Sequence, residues 1–455
     1  MEKASISDLV YDWNEVERKG HLIPKGFSFL DETLRDGIQN PSVIDPSIED
    51  KLKLLNLMDD LGIAAADIGL PGSSKRAFDH CLRLCNEIAK NKLRIKACCA
   101  GRTVTSDITP MIELSQRAGI PIEAYAFIGS SPIRQYTEEW DVALIAKRSA
   151  EAIDVAVKNG LTVAYVTEDT TRSRPEVLTT LFRAAIEHGA SRICLADTVG
   201  HATPDGVRNL VRFTKDVIAG LGATNVGIDW HGHNDRGFAL ENAIWALEYG
   251  ADRVHATALG IGERVGNVAM ELLLMNMKLL GQLADQDLTK LIEYVETAAR
   301  ALGWHIPINY PLVGRDAFRT ATGVHAAAIT KAMTKGDAWL ADRIYSGVPA
   351  GAFGRTQEIC IGFMSGTSNV NYWLRKRGIA SSEKLVQEIL EVAKSQDHIM
   401  TDDEVLSVIA RANGEARLES ETRLQGGGGD GGGEARLESE GLMKAVPVSS
   451  RASSS

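Results

Sequence analysis

The chain alternates between two patterns. Short runs of β-branched, aromatic and small apolar residues are each followed by a longer stretch with apolar positions at helical spacing. The strand-like runs are FSFLDET (27–33), AAADIGL (64–70), RIKACCAG (94–101), IEAYAFIG (122–129), TVAYVTED (162–169), RICLADTVG (192–200), VGIDWHGHN (226–234) and RVHATALG (253–260). Between them lie amphipathic segments such as 47–62 and 141–160, both ending in Gly, a residue that commonly closes helices. Eight βα units over about 255 residues predict an α/β fold, a (β/α)₈ TIM barrel. A doubly wound sheet is the alternative. It would place a Gly-rich phosphate loop after strand one, where this chain has Arg35 and Asp36.

The barrel is expected over 27–290, after an N-terminal extension, 1–26. Beyond it the pattern turns helical (LTKLIEYVETAARALGW, SEKLVQEILEVAKS), which predicts a small α-rich C-terminal region, 291–412. In 413–455 the octapeptide GEARLESE occurs twice around a Gly-rich run. That composition cannot bury a core, and the segment is expected to be a disordered tail.

In a TIM barrel the active site lies at the C-terminal ends of the strands, and here those ends carry polar groups. Arg35-Asp36 close strand one and Asp67 strand two. Arg102 follows strand three, and Ser130, Ser131 and Arg134 follow strand four. Glu168-Asp169 close strand five, and Asp197-Thr198 close strand six. His231 and His233 close strand seven, and Glu263, Arg264 and Asn267 follow strand eight. Such convergence on one rim predicts an enzyme. His231 and His233, two residues apart in a strand, face the same side and suit a divalent metal. Asp36 is the natural third ligand. Two imidazoles and a carboxylate with open positions fit Zn²⁺, Mn²⁺ or Fe²⁺, and further oxygen ligands favour Mg²⁺ or Mn²⁺.

Other chemistries are disfavoured. GIGERVG (260–266) has the wrong spacing and position for a dinucleotide loop. Neither a P-loop nor a G-x-S-x-G elbow occurs. The net charge of -10 argues against nucleic acid as the main partner. The six cysteines form no C-x-x-C pair and are expected to be reduced thiols. The N-terminus is charged, and no apolar run reaches membrane-spanning length, so a cytoplasmic location away from membranes is expected.

The motifs DETLRDGIQN (31–40), TEDTTRS (167–173), LADTVGHATP (195–204), HGHND (231–235) and LGIGERVGN (259–267) resemble the DRE-TIM metallolyase superfamily. They look most like its 2-isopropylmalate and homocitrate synthase branch. The resemblance implies a metal held by Asp36, His231 and His233, with Asn267 beside it. It implies Arg35 at the developing oxyanion of a 2-oxo acid, Thr198 on the substrate carboxylate, and Glu168 in the catalytic site. GRDAFRTATGVH (314–325) resembles a synthase stretch ending in an acid–base histidine, here His325, and Tyr345 stands where synthases place a functional tyrosine. Arg102, Ser131 and Arg134 are taken as substrate-binding candidates. Arg102 could instead only brace the rim, and Arg134 could hold a distal carboxylate or face solvent.

The reaction implied is metal-dependent condensation of acetyl-CoA with a 2-oxo acid, most like that of 2-isopropylmalate synthase, in a homodimer whose C-terminal region reaches the other subunit's site. Homocitrate or citramalate synthesis, a 3-hydroxy-3-methylglutaryl-CoA lyase reaction and a non-enzymatic relic are the alternatives. One departure from the family bears on this choice: Thr320-Ala321-Thr322 replace the usual His-Glu-Ser before His325.

Overall fold

The computed structural model describes residues 9–16 and 23–426. Eight parallel strands close into a barrel in chain order. They are β1 (Ser28–Asp31), β2 (Ala65–Asp67), β3 (Lys96–Arg102), β4 (Ile122–Gly129), β5 (Thr162–Glu168), β6 (Arg192–Asp197), β7 (Gly227–Gly232) and β8 (Arg253–Ala256). The ring is completed by β1 on β8, with Ser28 opposite Arg253 and Asp31 opposite Ala256. All eight expected strands are present, several of them shorter than the apolar runs that announced them. Helices follow the strands, and several start on side-chain caps. Ser47 accepts the Asp50 N–H ahead of Ile48–Asp60, and Asp141 accepts that of Leu144 ahead of Val142–Lys158.

The barrel interior departs from the branched aliphatics usual in this fold. Its inner apolar layer is mostly small: Ala65, Cys98, Ala100, Ala164 and Cys194, with Leu30 and Tyr125. The small residues leave room for a buried polar network. Asp229 accepts from the Tyr125 hydroxyl at 2.6 Å and from Arg253 Nε at 3.0 Å, and Arg253 also reaches Glu123 at 2.7 Å.

The chain divides into two compact units. One holds the chain up to Thr320 together with His325–Ile359, and the other holds Ala321–Val324 together with the chain from Cys360 onward. The expected boundary at 290/291 therefore moves. The reason is the helix Leu291–Leu302, whose buried Tyr294 donates to Asp31 and lies 3.2 Å from Thr33 Oγ1. These contacts tie the helix to β1. The second unit has its own apolar core, built from helices Thr367–Lys376, Glu383–Ser395 and Asp402–Gly426 around Val370, Ile389 and Val405. The last helix is a second departure, because it runs through the start of the segment expected to be disordered. Residues 414–426 are rich in Glu, Arg and Leu, strong helix formers that can extend an existing helix without a core to bury. The remainder of that segment lies outside the described residues, as does most of the N-terminal extension. Among the described residues no helix is long and apolar enough to cross a membrane.

Burial raises the Asp31 carboxyl from 3.8 to about 6, against the opposing bonds from Thr33 and Tyr294. Between these values the folded chain keeps a proton that the unfolded chain has released. The contribution is therefore complete below about pH 4 and is lost as pH rises through about 6. Asp31→Asn should flatten this part of the stability profile by on the order of 3 kcal/mol. Urea unfolding of both proteins across that range checks it.

Candidate active site

Strand ends and the loops after them bring several of the rim residues to one cavity of about 300 Å³. Arg35, Asp36, Glu168, Thr198, His231 and His233 line it, together with Glu32, His255, Gln39 and Glu263. Its apolar wall is Leu70, Ala100, Tyr125, Phe127, Val166 and Ala196.

Asp36, His231 and His233 converge. Each imidazole Nε2 stands 3.5 Å from Asp36 Oδ2, and the two Nε2 atoms are 3.2 Å apart. Donor atoms bonded to one ion at about 2.1 Å stand roughly 3.0–3.5 Å apart, so this spacing fits a shared metal. The chemistry of the donors agrees. His231 Nδ1 stands 3.3 Å from Glu32 Oε1, while its Nε2 stands 3.5 Å from Asp36 Oδ2. Burial and the neighbouring imidazole push His233 down to about 4, keeping it neutral. Burial opposes ionisation of Asp36, but chiefly the Arg35 guanidinium outweighs it and holds the carboxyl below its ordinary value. Asn267 donates to Asp36 Oδ2 at 2.7 Å, and its own amide oxygen is buried without a partner among the described residues.

Arg35 is fixed from three sides. Its Nε donates to Asp67 at 2.9 Å, a second nitrogen pairs with Glu32, and a third lies 3.6 Å from Asp36. Burial raises Asp67 to about 7, despite the guanidinium beside it. Thr198 Oγ1 accepts the Asp169 N–H at 2.8 Å, which leaves the hydroxyl proton for another acceptor. Burial raises Glu168 above its ordinary value, opposed by Arg134 at 3.2 Å.

The remaining candidates do not line this cavity. Arg102 is held in a two-pronged pair by Asp107, five residues on, with its side chain largely in solvent. Ser131 caps the short helix Pro132–Glu138. Arg134 is engaged by Glu168 and by Glu138 at 3.2 Å. His325 and Tyr345 stack on one another at 3.9 Å between ring centres. Asp197 braces its own turn, accepting from Thr171 and from the N–H groups of His201 and Ala202. Arg264 pairs chiefly with Asp235 at 2.8 Å and only loosely with Glu263 at 3.8 Å. Sequence reasoning singled out neither His255 nor Glu32 as part of the site. The available signal was strand periodicity, since His255 is two residues from Arg253 on β8.

Residues 26–297 match the HMGL-like family. The chain belongs to this family. A probable 2-isopropylmalate synthase of Methanopyrus kandleri is 31% identical over 375 residues, which cover 82% of this chain and 70% of that one. A homocitrate synthase of Pyrococcus horikoshii is 31% identical over 382 residues, covering 84% and 99%. These relatives represent the synthase branch that the motifs indicated, and this HMGL-like protein is accordingly an enzyme of the acyltransferase class. An HMG-CoA lyase structure from Bacillus subtilis shares the fold, with a TM-score of 0.51 and 22% identity over 63% of this chain and 96% of that one.

The loop after β8 sets Asn267. Its Gly266 has φ +90°, and a Cβ there would fall 1.9 Å from the Gly260 carbonyl oxygen. At Gly262 a Cβ would stand 1.7 Å from Asn267 Oδ1. Gly262→Ala should therefore displace the Asn267 side chain. Metal affinity is expected to fall about 10–100-fold with the fold intact, as measured by metal titration beside circular dichroism.

Proposed function

We propose that this protein condenses the acetyl group of acetyl-CoA with a 2-oxo acid. Attack of the acetyl methyl carbon on the keto carbon gives a CoA thioester, and one water hydrolyses it, so the products are a 2-hydroxy acid of the alkylmalate type and free CoA. The observation that carries this reading is the Asp36–His231–His233 cluster, beside Arg35, in a cavity with one apolar wall. A divalent ion (Mg²⁺, Mn²⁺ or Zn²⁺) held by these three residues, with Asn267 beside it, supplies Lewis-acid polarisation of the oxo group. Arg35 adds a fixed positive charge for the developing oxyanion. Thr198 donates its hydroxyl proton to the substrate carboxylate. Glu168, raised by burial, exchanges a proton at its carboxyl oxygen.

The apolar wall favours an oxo acid with a branched hydrocarbon side chain, of the 2-oxoisovalerate kind. Arg134, the candidate for a distal carboxylate, is already paired with Glu168 and Glu138. This supports the 2-isopropylmalate type over the homocitrate type. The six free cysteines accord with a reducing, cytoplasmic setting.

Metal-depleted protein should release thiol from acetyl-CoA only when an oxo acid and a divalent ion are both added, fastest with 2-oxoisovalerate. Arg35→Gln should lower kcat about 10²–10³-fold. Release that is independent of oxo acid, or cleavage of a 3-hydroxyacyl-CoA in its place, would overturn the reading.

His325 and Tyr345 are proposed to act on the site of a second copy of the chain, in a homodimer. Asp36→Ala and His325→Ala, each inactive alone, should then regain about a quarter of wild-type activity when refolded together, since half the dimers are mixed and each holds one intact site. Continued inactivity of the mixture would place His325 elsewhere.

A further inference from the structure

Beneath the metal-ligand cluster lies a buried chain of polar contacts that the proposed chemistry does not use. Glu32 Oε1 stands 3.3 Å from His231 Nδ1 and 2.7 Å from His255 Nδ1. The other nitrogen of His255 lies 3.2 Å from Asp229 Oδ2. Asp229 is itself held by Arg253 and by the Tyr125 hydroxyl. Glu32, Asp229 and His255 are all at most 2% exposed. Each nitrogen of His255 therefore faces a carboxylate oxygen. An ionised carboxylate only accepts, so Nε2 donates to Asp229, while Nδ1 lies against Glu32 at ion-pair distance without hydrogen-bond geometry. The second Glu32 oxygen is occupied by Arg35.

We propose that Glu32, anchored by His255 to Asp229, is a positioning residue that fixes the tautomer and ring orientation of His231 for metal binding. The proton on His231 is drawn to Nδ1, and the lone pair of Nε2 is aimed at the point shared with Asp36 and His233. This assignment rests on reading those three residues as the ligands.

Glu32, His231 and His255 also lie close enough together to hold a cation of their own. Arg35 argues against that use. Its guanidinium already neutralises Glu32 and would repel a second ion a few ångströms away. Protons satisfy the contacts at no such cost.

Glu32→Gln would set a donor amide against donors, and His255→Phe would keep a ring while removing both ring nitrogens. Full-length, metal-depleted variants would be titrated with Co²⁺, following both affinity and the visible spectrum of the bound ion. Each variant is expected to bind about 10–100-fold more weakly than wild type, with an altered spectrum. Tyr294→Phe removes an equally buried hydroxyl from the separate Asp31 contact, so it should lower Tm while leaving both readouts unchanged. If one variant fails to fold, the other carries the comparison, and failure of both counts as a purely structural role and overturns the proposal.

Folded variants with wild-type affinity and spectrum would overturn it. So would affinity losses that follow Tm in the same way for Tyr294→Phe. Two ions per wild-type chain would make Glu32 and His255 ligands instead. A wild-type chain that binds no ion would sink the ligand assignment as well as this proposal, whereas unaltered binding by the variants sinks this proposal alone.

Discussion

The pairing of β1 with β8 is the contact on which the site depends. Until Ser28–Asp31 lies along Arg253–Ala256, the barrel is an open sheet and its strand ends share no rim. Closure brings Asp36, just beyond β1, to His231 at the end of β7, and both to Asn267 in the loop after β8. Asn40 reinforces this by donating to the Gly262 carbonyl at 2.7 Å, clasping the loops after the first and last strands. The parallel ladder supplies backbone hydrogen bonds, while the helices cover the outer face of the ring with apolar side chains. Neither alone would hold three candidate ligand atoms within a few ångströms of one another.

Closure also concentrates charge. Arg35 meets Glu32, Asp36 and Asp67, and Asp229 meets Arg192 and Arg253, all with little access to water. An isolated charge in such a place would be costly, and pairing with several hydrogen bonds offsets most of that cost. The result is a stiff set of donors and acceptors in which the side chains at the cavity have few alternative positions. That is what a site needs when its task is to stabilise charge that develops in a transition state.

Much of this was legible in the sequence. The alternation of apolar runs with amphipathic stretches named all eight strands, and the polar residues closing those runs named six of the cavity's lining residues. What escaped depends on register across the closed ring. His255 sits opposite Leu30, and nothing in its local sequence says that Glu32 and Asp229 flank it. Arg102 stands at the right place along the chain, yet the nearby Asp107 holds its guanidinium away from the cavity. The boundary near 290 was misplaced because Tyr294 looks like any amphipathic helix residue until its bond to Asp31 is known. Residues 414–426 were read by composition, where the helix preceding them decides.

The ligand candidates come from the two ends of the barrel segment, with Asn267 lying 231 positions along the chain from Asp36. Occupancy is thereby coupled to completion of synthesis. A nascent chain carries Asp36 early, but the imidazoles and the last loop emerge only when the barrel is nearly finished. A half-made protein has no site with which to sequester a scarce ion. Binding becomes possible in the same step that seals the ring, so a bound ion adds its free energy to the closed form alone and opposes reopening of the first strand from the last.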